Sequence, residues 1–186
     1  MAGFEGFVLG VSASPSRASR SRELLDAALE RLAAAGLATK RVDLERLPAE
    51  ALLGRASDAA VTEALQWVAG ARLVVVATPV YRATYSGLLK VFFDLLPNGA
   101  LAGKIVVPIV TGGSAAHQLA LDHGLRPLVQ SLGGLTVATG VYAAPEQFAD
   151  GRPDAALLAR VERAALEALQ LTALASPSSA SFATHP

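Results

Sequence analysis

Three short segments of this chain carry the residue types needed to hold an anion beside a flat apolar ring. The first is Ser12-Ala13-Ser14-Pro15-Ser16-Arg17-Ala18-Ser19-Arg20-Ser21, five hydroxyls and two guanidiniums just ahead of a helix start. Amides at a helix start are unpaired, hydroxyls donate, and arginine pairs with oxyanions, so this set suits a phosphate dianion. It also reads as a Ser-rich surface loop with one serine as N-cap. It lacks the Gly-Lys-Ser/Thr ending of a Walker loop and the GxGxxG dinucleotide fingerprint. The second segment, Leu73 to Lys90, opens on an apolar run, Leu73-Val74-Val75-Val76-Ala77, and breaks into Thr78-Pro79-Val80-Tyr81. Such a run reads as a strand buried on both faces of a parallel sheet. Pro79 fixes its own φ and pushes Thr78 into an extended conformation, so a rigid loop bearing an aromatic is expected there. The third, Thr111-Gly112-Gly113-Ser114, puts two glycines before a helical stretch. Glycines let backbone approach a ligand and leave amides pointing outward, although a plain strand-to-helix turn reads the same way.

The surrounding elements must bring these segments together. Strands are predicted over Phe7–Val11, Arg41–Leu44, Leu73–Ala77, Lys104–Val110 and Leu135–Tyr142. Helices are predicted over Ser19–Ala35, Ser57–Ala69, Ser86–Leu96, Ser114–Leu132 and Pro153–Leu171. In the first helix Leu24, Leu25, Ala28, Leu29 and Leu32 share one face, and Gly36 stops it. Alternation of this kind implies right-handed crossovers and an α/β fold: a flavodoxin-like three-layer sandwich with a five-stranded parallel sheet. One domain over residues 1–172 is expected, followed by a Ser/Ala/Pro-rich tail, 173–186, expected to be disordered. In a flavodoxin-like order strands one, three and four are neighbours, with the switch point between one and three. The segments then form a phosphate cup, a Pro-Val-Tyr wall and a Gly-Gly floor on one rim. A flat ring with polar edges and a phosphate tail fits that set, and FMN is the candidate.

The composition narrows the class. The 186 residues are 52% apolar, enough for one domain with a sizeable core. Lys+Arg and Asp+Glu are both 16, which speaks against a nucleic-acid binder and against an electron carrier docking through a charged face. Near-zero charge makes a surface buried in an oligomer plausible. The absence of Cys excludes disulfides, thiolate metal sites and thiol nucleophiles. No apolar run reaches bilayer-spanning length, and Met1–Glu5 has no basic region of a signal peptide, so a cytoplasmic protein is expected.

The stretches SASPSRASRS, ATPVYRATYSGLLKVFFDLLP and LAGKIVVPIVTGGSAAHQLALDHGLRPLVQSLG resemble the NADPH-dependent FMN reductases of the flavodoxin-like superfamily. Within it they look most like the flavin reductases of alkanesulfonate and methanesulfonate utilisation. The resemblance covers roughly Val8 to Gly140, with Ala13 where the family pattern has glycine. It implies that Ser14, Ser19, Arg20 and Ser21 hold the FMN phosphate. Pro79, Val80 and Tyr81 would flank the isoalloxazine, and Thr111, Gly112, Gly113 and Ser114 would meet its other edge. It implies reduction of free FMN by NADPH and release of FMNH2 to a two-component monooxygenase acting on a sulfonate.

Pro127 lies inside the fourth helical pattern and Gly124 adjoins His123. Leu121, Leu125, Leu128 and Leu132 run in phase, whereas Ala116, Leu119 and Ala120 do not. A one-residue π-bulge accounts for both observations; a simple proline kink with a surface histidine accounts for the first. The resemblance implies a π-type insertion at a subunit interface of a homodimer or homotetramer, with His123 where some relatives carry Tyr. His117 and His123 are not at i,i+4 spacing, so no metal site is expected. Lys90 and Asp94 read as a solvated helix pair. Arg82 could pair with the 2′-phosphate of NADPH or be an ordinary loop arginine. Hydride transfer from nicotinamide to flavin needs no protein nucleophile or base, so no catalytic side chain is assigned. Three alternatives share the fold: an FMN-containing quinone or azo-dye reductase, a flavodoxin-like electron carrier, and a regulatory flavin-binding protein.

Overall fold

The computed structural model describes residues 6–175; Met1–Glu5 and Ser176–Pro186 lie outside the described residues. The chain runs β1 (Phe7–Ser12), α1 (Arg20–Ala34), β2 (Thr39–Asp43), α2 (Ala49–Leu52), α3 (Ala59–Gly70), β3 (Ala71–Tyr81), β4 (Thr84–Tyr85) and α4 (Gly87–Asp94). It continues through β5 (Ile105–Thr111), α5 (Arg126–Ser131), β6 (Leu135–Thr136), β7 (Val141–Ala143), β8 (Phe148–Ala149), β9 (Arg152–Pro153) and α6 (Ala155–Ala175). The main sheet has the order β2-β1-β3-β5-β6, all parallel, with β7 continuing the edge beside β5. This is the flavodoxin-like three-layer sandwich read from the sequence.

Each face of the sheet carries its own core. Leu9, Val11, Val74, Val76, Val106 and Val110 pack with Val61, Leu89, Phe92 and Val129 from α3, α4 and α5. Val8, Leu73, Val75, Ile105, Val107 and Ile109 pack with Leu24, Leu25, Leu157 and Val161 from α1 and α6. The continuous apolar runs of β3 and β5 follow from burial on both faces. Gly10 lets α1 lie close to the sheet, since a Cβ there would collide with Leu29 and Leu25.

Several boundaries differ from the sequence reading. The third strand extends to Tyr81 and turns back through β4, so Pro79-Val80-Tyr81 is part of a hairpin rather than a loop, with Val80 opposite Tyr85. The fourth helix is composite: a 3-10 turn at Ala115–Gln118, a π-helix at Leu121–Leu125, then α5. A hairpin, β8–β9, precedes the last helix, which starts at Ala155 and runs to Ala175, so the first residues of the expected tail are helical.

The fifth strand is interrupted over residues 137–140, and Pro108 explains why. Leu135 and Val137 donate to the carbonyls of Lys104 and Val106, and Gly112 donates to Ala143. Even-numbered residues of this stretch therefore face the edge strand, and at Pro108 that ladder lacks a donor. Side chains take over: Arg126 donates to the carbonyls of Val137 and Ala138 at 2.6 and 2.7 Å. Glu167 accepts from the amides of Ala138 and Thr139 at 2.5 and 2.9 Å.

One buried junction ties the sheet edge together. Ser86, the N-cap of α4, accepts from the Leu89 amide at 3.2 Å and donates to the Ala13 carbonyl at 2.6 Å. Its own amide donates to Thr78 Oγ1 at 3.0 Å. A single serine thus fixes the exit of β1, the end of β3 and the start of α4.

Ser86→Ala leaves the buried Ala13 carbonyl without its hydroxyl donor, while the Leu89 amide keeps the Ser86 carbonyl at 3.1 Å, and is expected to cost about 1–3 kcal/mol. Urea unfolding measures it, and an unchanged midpoint would contradict the junction's role. Burial pushes the Glu167 carboxyl up, but the Thr139 and Ala138 amides and the Arg126 charge outweigh it and hold it below its ordinary value near 4.5. A depressed carboxyl stabilises the fold above that value, and the contribution is lost as pH falls through the lowered pKa. Glu167→Gln should therefore cost about 0.5–1 kcal/mol at neutral pH, discounted for partial exposure, with the difference vanishing in acid. A difference independent of pH would refute the charge argument.

Candidate functional site

The carboxyl ends of β1, β3 and β5 abut, because Ser12 pairs with Ala77 and Pro79 with Thr111. The three segments singled out in the sequence therefore share one rim.

On the β1 side, Ser19 is the N-cap of α1 and accepts from the Arg22 amide at 3.4 Å. Its hydroxyl lies 2.9 Å from that of Ser21, which is fully buried. Ser14 is buried and accepts from the Ser16 amide at 3.2 Å. The amides of Arg20 and Ser21, first in α1, have no intrahelical acceptors. Arg20 is exposed and its guanidinium lies 5.2 Å from the ring centre of Phe148. The hydroxyl of Ser12, at the end of β1, is buried and makes no hydrogen bond among the described residues. Unpaired amides, a serine cluster, an orphaned hydroxyl and an arginine at one helix start fit a phosphate monoester.

Arg22 holds this loop from beneath. Its guanidinium pairs with Asp43 at 2.9 Å and Glu45 at 3.4 Å and donates to the Arg17 carbonyl at 3.2 Å. Sequence reasoning did not single it out, since its partners lie at the end of the second strand and the contact is visible only in three dimensions.

The β3 side is a hairpin whose two turn residues, Arg82 and Ala83, have φ of 52° and 72°. Neither is glycine, so the turn carries backbone strain. The β4 strand packs on the π-helix, where a Cβ on Gly124 would collide with Thr84 Oγ1. Pro79 and Val80 are half-buried, while Tyr81 is 47% exposed. His123 is exposed on the π-helix, and Leu119 beside it is 61% exposed.

On the β5 side the expectation of outward-pointing glycine amides is corrected. Gly112 donates to the Ala143 carbonyl at 3.0 Å and Gly113 to His117 Nδ1 at 3.1 Å. Gly112 is needed because a Cβ would meet the Tyr142 hydroxyl and His117 Cβ. The protein's own side chains fill that space, and the Tyr142 hydroxyl donates to the Ser114 carbonyl. Burial, together with the Glu146 carboxylate, pushes the Tyr142 phenol above its ordinary value, so it stays a donor. What the floor leaves open is Gly113 and Ser114, both exposed, while Thr111 is buried.

A separate cleft of about 450 Å³ lies where the edge strand breaks, lined by Gln118, Asp122, Arg126, Thr139, Arg160 and Arg163 among others. Two of its guanidiniums are occupied within the protein, Arg126 as above and Arg160 on the Tyr142 carbonyl at 3.0 Å. It lies beside the break in the ladder and shares Tyr142 with the β5 side of the rim.

Comparison with known proteins gives the family. Residues 7–149 match the NADPH-dependent FMN reductase family. An FMN reductase (NADPH) of Pseudomonas putida KT2440 is 39% identical over 166 residues, covering 88% of this chain and 84% of that one. An NADH-dependent FMN reductase, SfnE, of Pseudomonas putida is 40% identical over 169 residues, covering 88% and 91%. The solved apo structure of the NADH:FMN oxidoreductase EMOB superposes with a TM-score of 0.81 at 37% identity, covering 89% of each chain. By the match over residues 7–149 and by these relatives, the chain belongs to the NADPH-dependent FMN reductase family, oxidoreductases that reduce FMN with NAD(P)H.

Proposed function

We propose that this protein takes FMN as a dissociating substrate, reduces it with NADPH and releases FMNH2 to a two-component monooxygenase, in the cytoplasm, with sulfonate desulfonation as the setting. The observation that carries the reading is the openness of the rim. Tyr81 is nearly half exposed, Gly113 and Ser114 are exposed, and Arg20 is exposed with its guanidinium near the Phe148 ring. A shelf of this kind favours a flavin that comes and goes over one sealed in a pocket.

In this reading the helix start of α1, with Ser14, Ser19, Arg20 and Ser21, binds the phosphate. Pro79, Val80 and Tyr81 supply one wall for the isoalloxazine, and Thr111, Gly112, Gly113 and Ser114 the opposing edge. Bound FMN supplies the hydride acceptor. The chain's own task is to align two rings and limit water, since proximity and orientation account for most of what such a step needs from a protein. Exposed Leu119, ahead of the π-helix, and exposed His123 within it support assembly into a homodimer or homotetramer through that face.

NADPH oxidation followed at 340 nm, with FMN titrated from zero to excess, tests the proposal. Turnover that saturates in added FMN is expected. Turnover complete at one equivalent of FMN and dependent on a quinone or dye would instead mark a retained flavin. Arg20→Ala should raise the FMN dissociation constant on the order of tenfold, the weight of a hydrogen bond to a charged group. Unchanged affinity would sink the phosphate assignment.

A further inference from the structure

Phe148 lies in a part of the chain to which the sequence reading assigned nothing. It opens the β8–β9 hairpin, whose turn, Asp150-Gly151, has φ of 51° and 80°. The strands pair Phe148 with Pro153 and Ala149 with Arg152. Both ends of the hairpin are anchored. Asp154 donates its amide to the Gln147 carbonyl at 2.8 Å and its carboxylate accepts from Leu157 at the start of α6. Gln147 Oε1 accepts from the Ala144 amide at 3.1 Å. The Phe148 ring is half-buried against the core shared by α1 and α6. It is therefore a fixed surface, and it sits under the guanidinium of Arg20 at 5.2 Å.

Arg20 makes no hydrogen bond or ion pair among the described residues, so this ring is what orients its guanidinium. The chemistry of that choice matters. A carboxylate partner would consume the N–H donors of an arginine and cancel its charge. An aromatic ring holds the cation electrostatically, satisfies none of its N–H groups, and leaves them for an oxyanion. Arg22, two residues on, shows the contrast: it is held by Asp43 and Glu45 and is spent on the loop.

We propose that Phe148 is a positioning residue that presents Arg20 to the flavin's phosphate, and so sets the preference for FMN over riboflavin. The proposal rests on the FMN reading of the rim. It predicts an effect confined to the phosphorylated flavin, because the partner of the ring is Arg20 at the helix start.

The test is fluorescence titration of FMN and of riboflavin against the wild type, Phe148→Leu, Phe148→Tyr, Arg20→Ala and the Phe148→Leu/Arg20→Ala double variant. Phe148→Leu should raise the FMN dissociation constant about 2- to 5-fold and leave riboflavin unchanged. Phe148→Tyr, which keeps the ring, should restore FMN binding. The double variant should bind FMN no more weakly than Arg20→Ala alone. The proposal is overturned if Phe148→Leu weakens both flavins equally, which marks a structural role. It is overturned as well if Phe148→Leu has no effect while Arg20→Ala still weakens FMN. Should Arg20→Ala leave FMN unaffected, the phosphate reading of the rim falls and this inference falls with it.

Discussion

The site depends on one buried hydroxyl. Ser86 joins the carbonyl of Ala13 just past β1, the hydroxyl of Thr78 in β3, and the Leu89 amide in the first turn of α4. Parallel strands leave their carboxyl ends side by side, but they do not by themselves fix where each loop departs. Here the Ala13 carbonyl is held, so the serine-arginine loop leaves β1 in one direction. Ser86 is also held through Thr78, so the hairpin bearing Tyr81 can extend only outward from the rim. The serine-arginine loop and the Pro79–Tyr81 hairpin are thereby set at a fixed separation, which the proposed binding of a ring at one end and a phosphate at the other would use.

The chemistry assigned to the family asks for placement more than for reactive side chains. Accordingly, the polar groups at the rim are largely engaged in holding backbone: Ser14 on the Ser16 amide, His117 on Gly113, Tyr142 on Ser114. The strained turn at Arg82-Ala83 and the π-helix packed against it belong to the same economy. Strain of this kind persists where neighbouring structure over-determines it. The hairpin on one side and the irregular helix on the other pack on each other through Thr84 and Gly124, and each leaves an apolar side chain exposed, Tyr81 and Leu119.

The layered fold and the three rim segments were legible in the sequence because they rest on local signals. Apolar runs mark strands buried on two faces, Leu24 to Leu32 mark a helix face, and the slip around Leu119 and Leu121 marks an extra residue in a helix. What was not legible rests on contacts between distant residues. Arg22 finds Asp43 and Glu45 across a βαβ unit, and Ser86 finds Ala13 at a sequence separation of 73. The glycine pair was misread for the same reason: the side chains that fill the space at Gly112 come from Tyr142 and His117. Two signals were present but unused. Pro108 within an apparent central strand announces a lost ladder bond, and Asp150-Gly151 between short extended stretches announces a hairpin.

The account's central claim is that FMN binds along the rim formed by β1, β3 and β5. Amide hydrogen exchange with and without FMN tests that most directly, since each segment reports separately. The account predicts added protection over residues 14–21, 79–86 and 111–114, with no change where Gln118, Thr139 and Arg163 line the edge cleft. Protection confined to that cleft, with the rim segments unchanged, would contradict it.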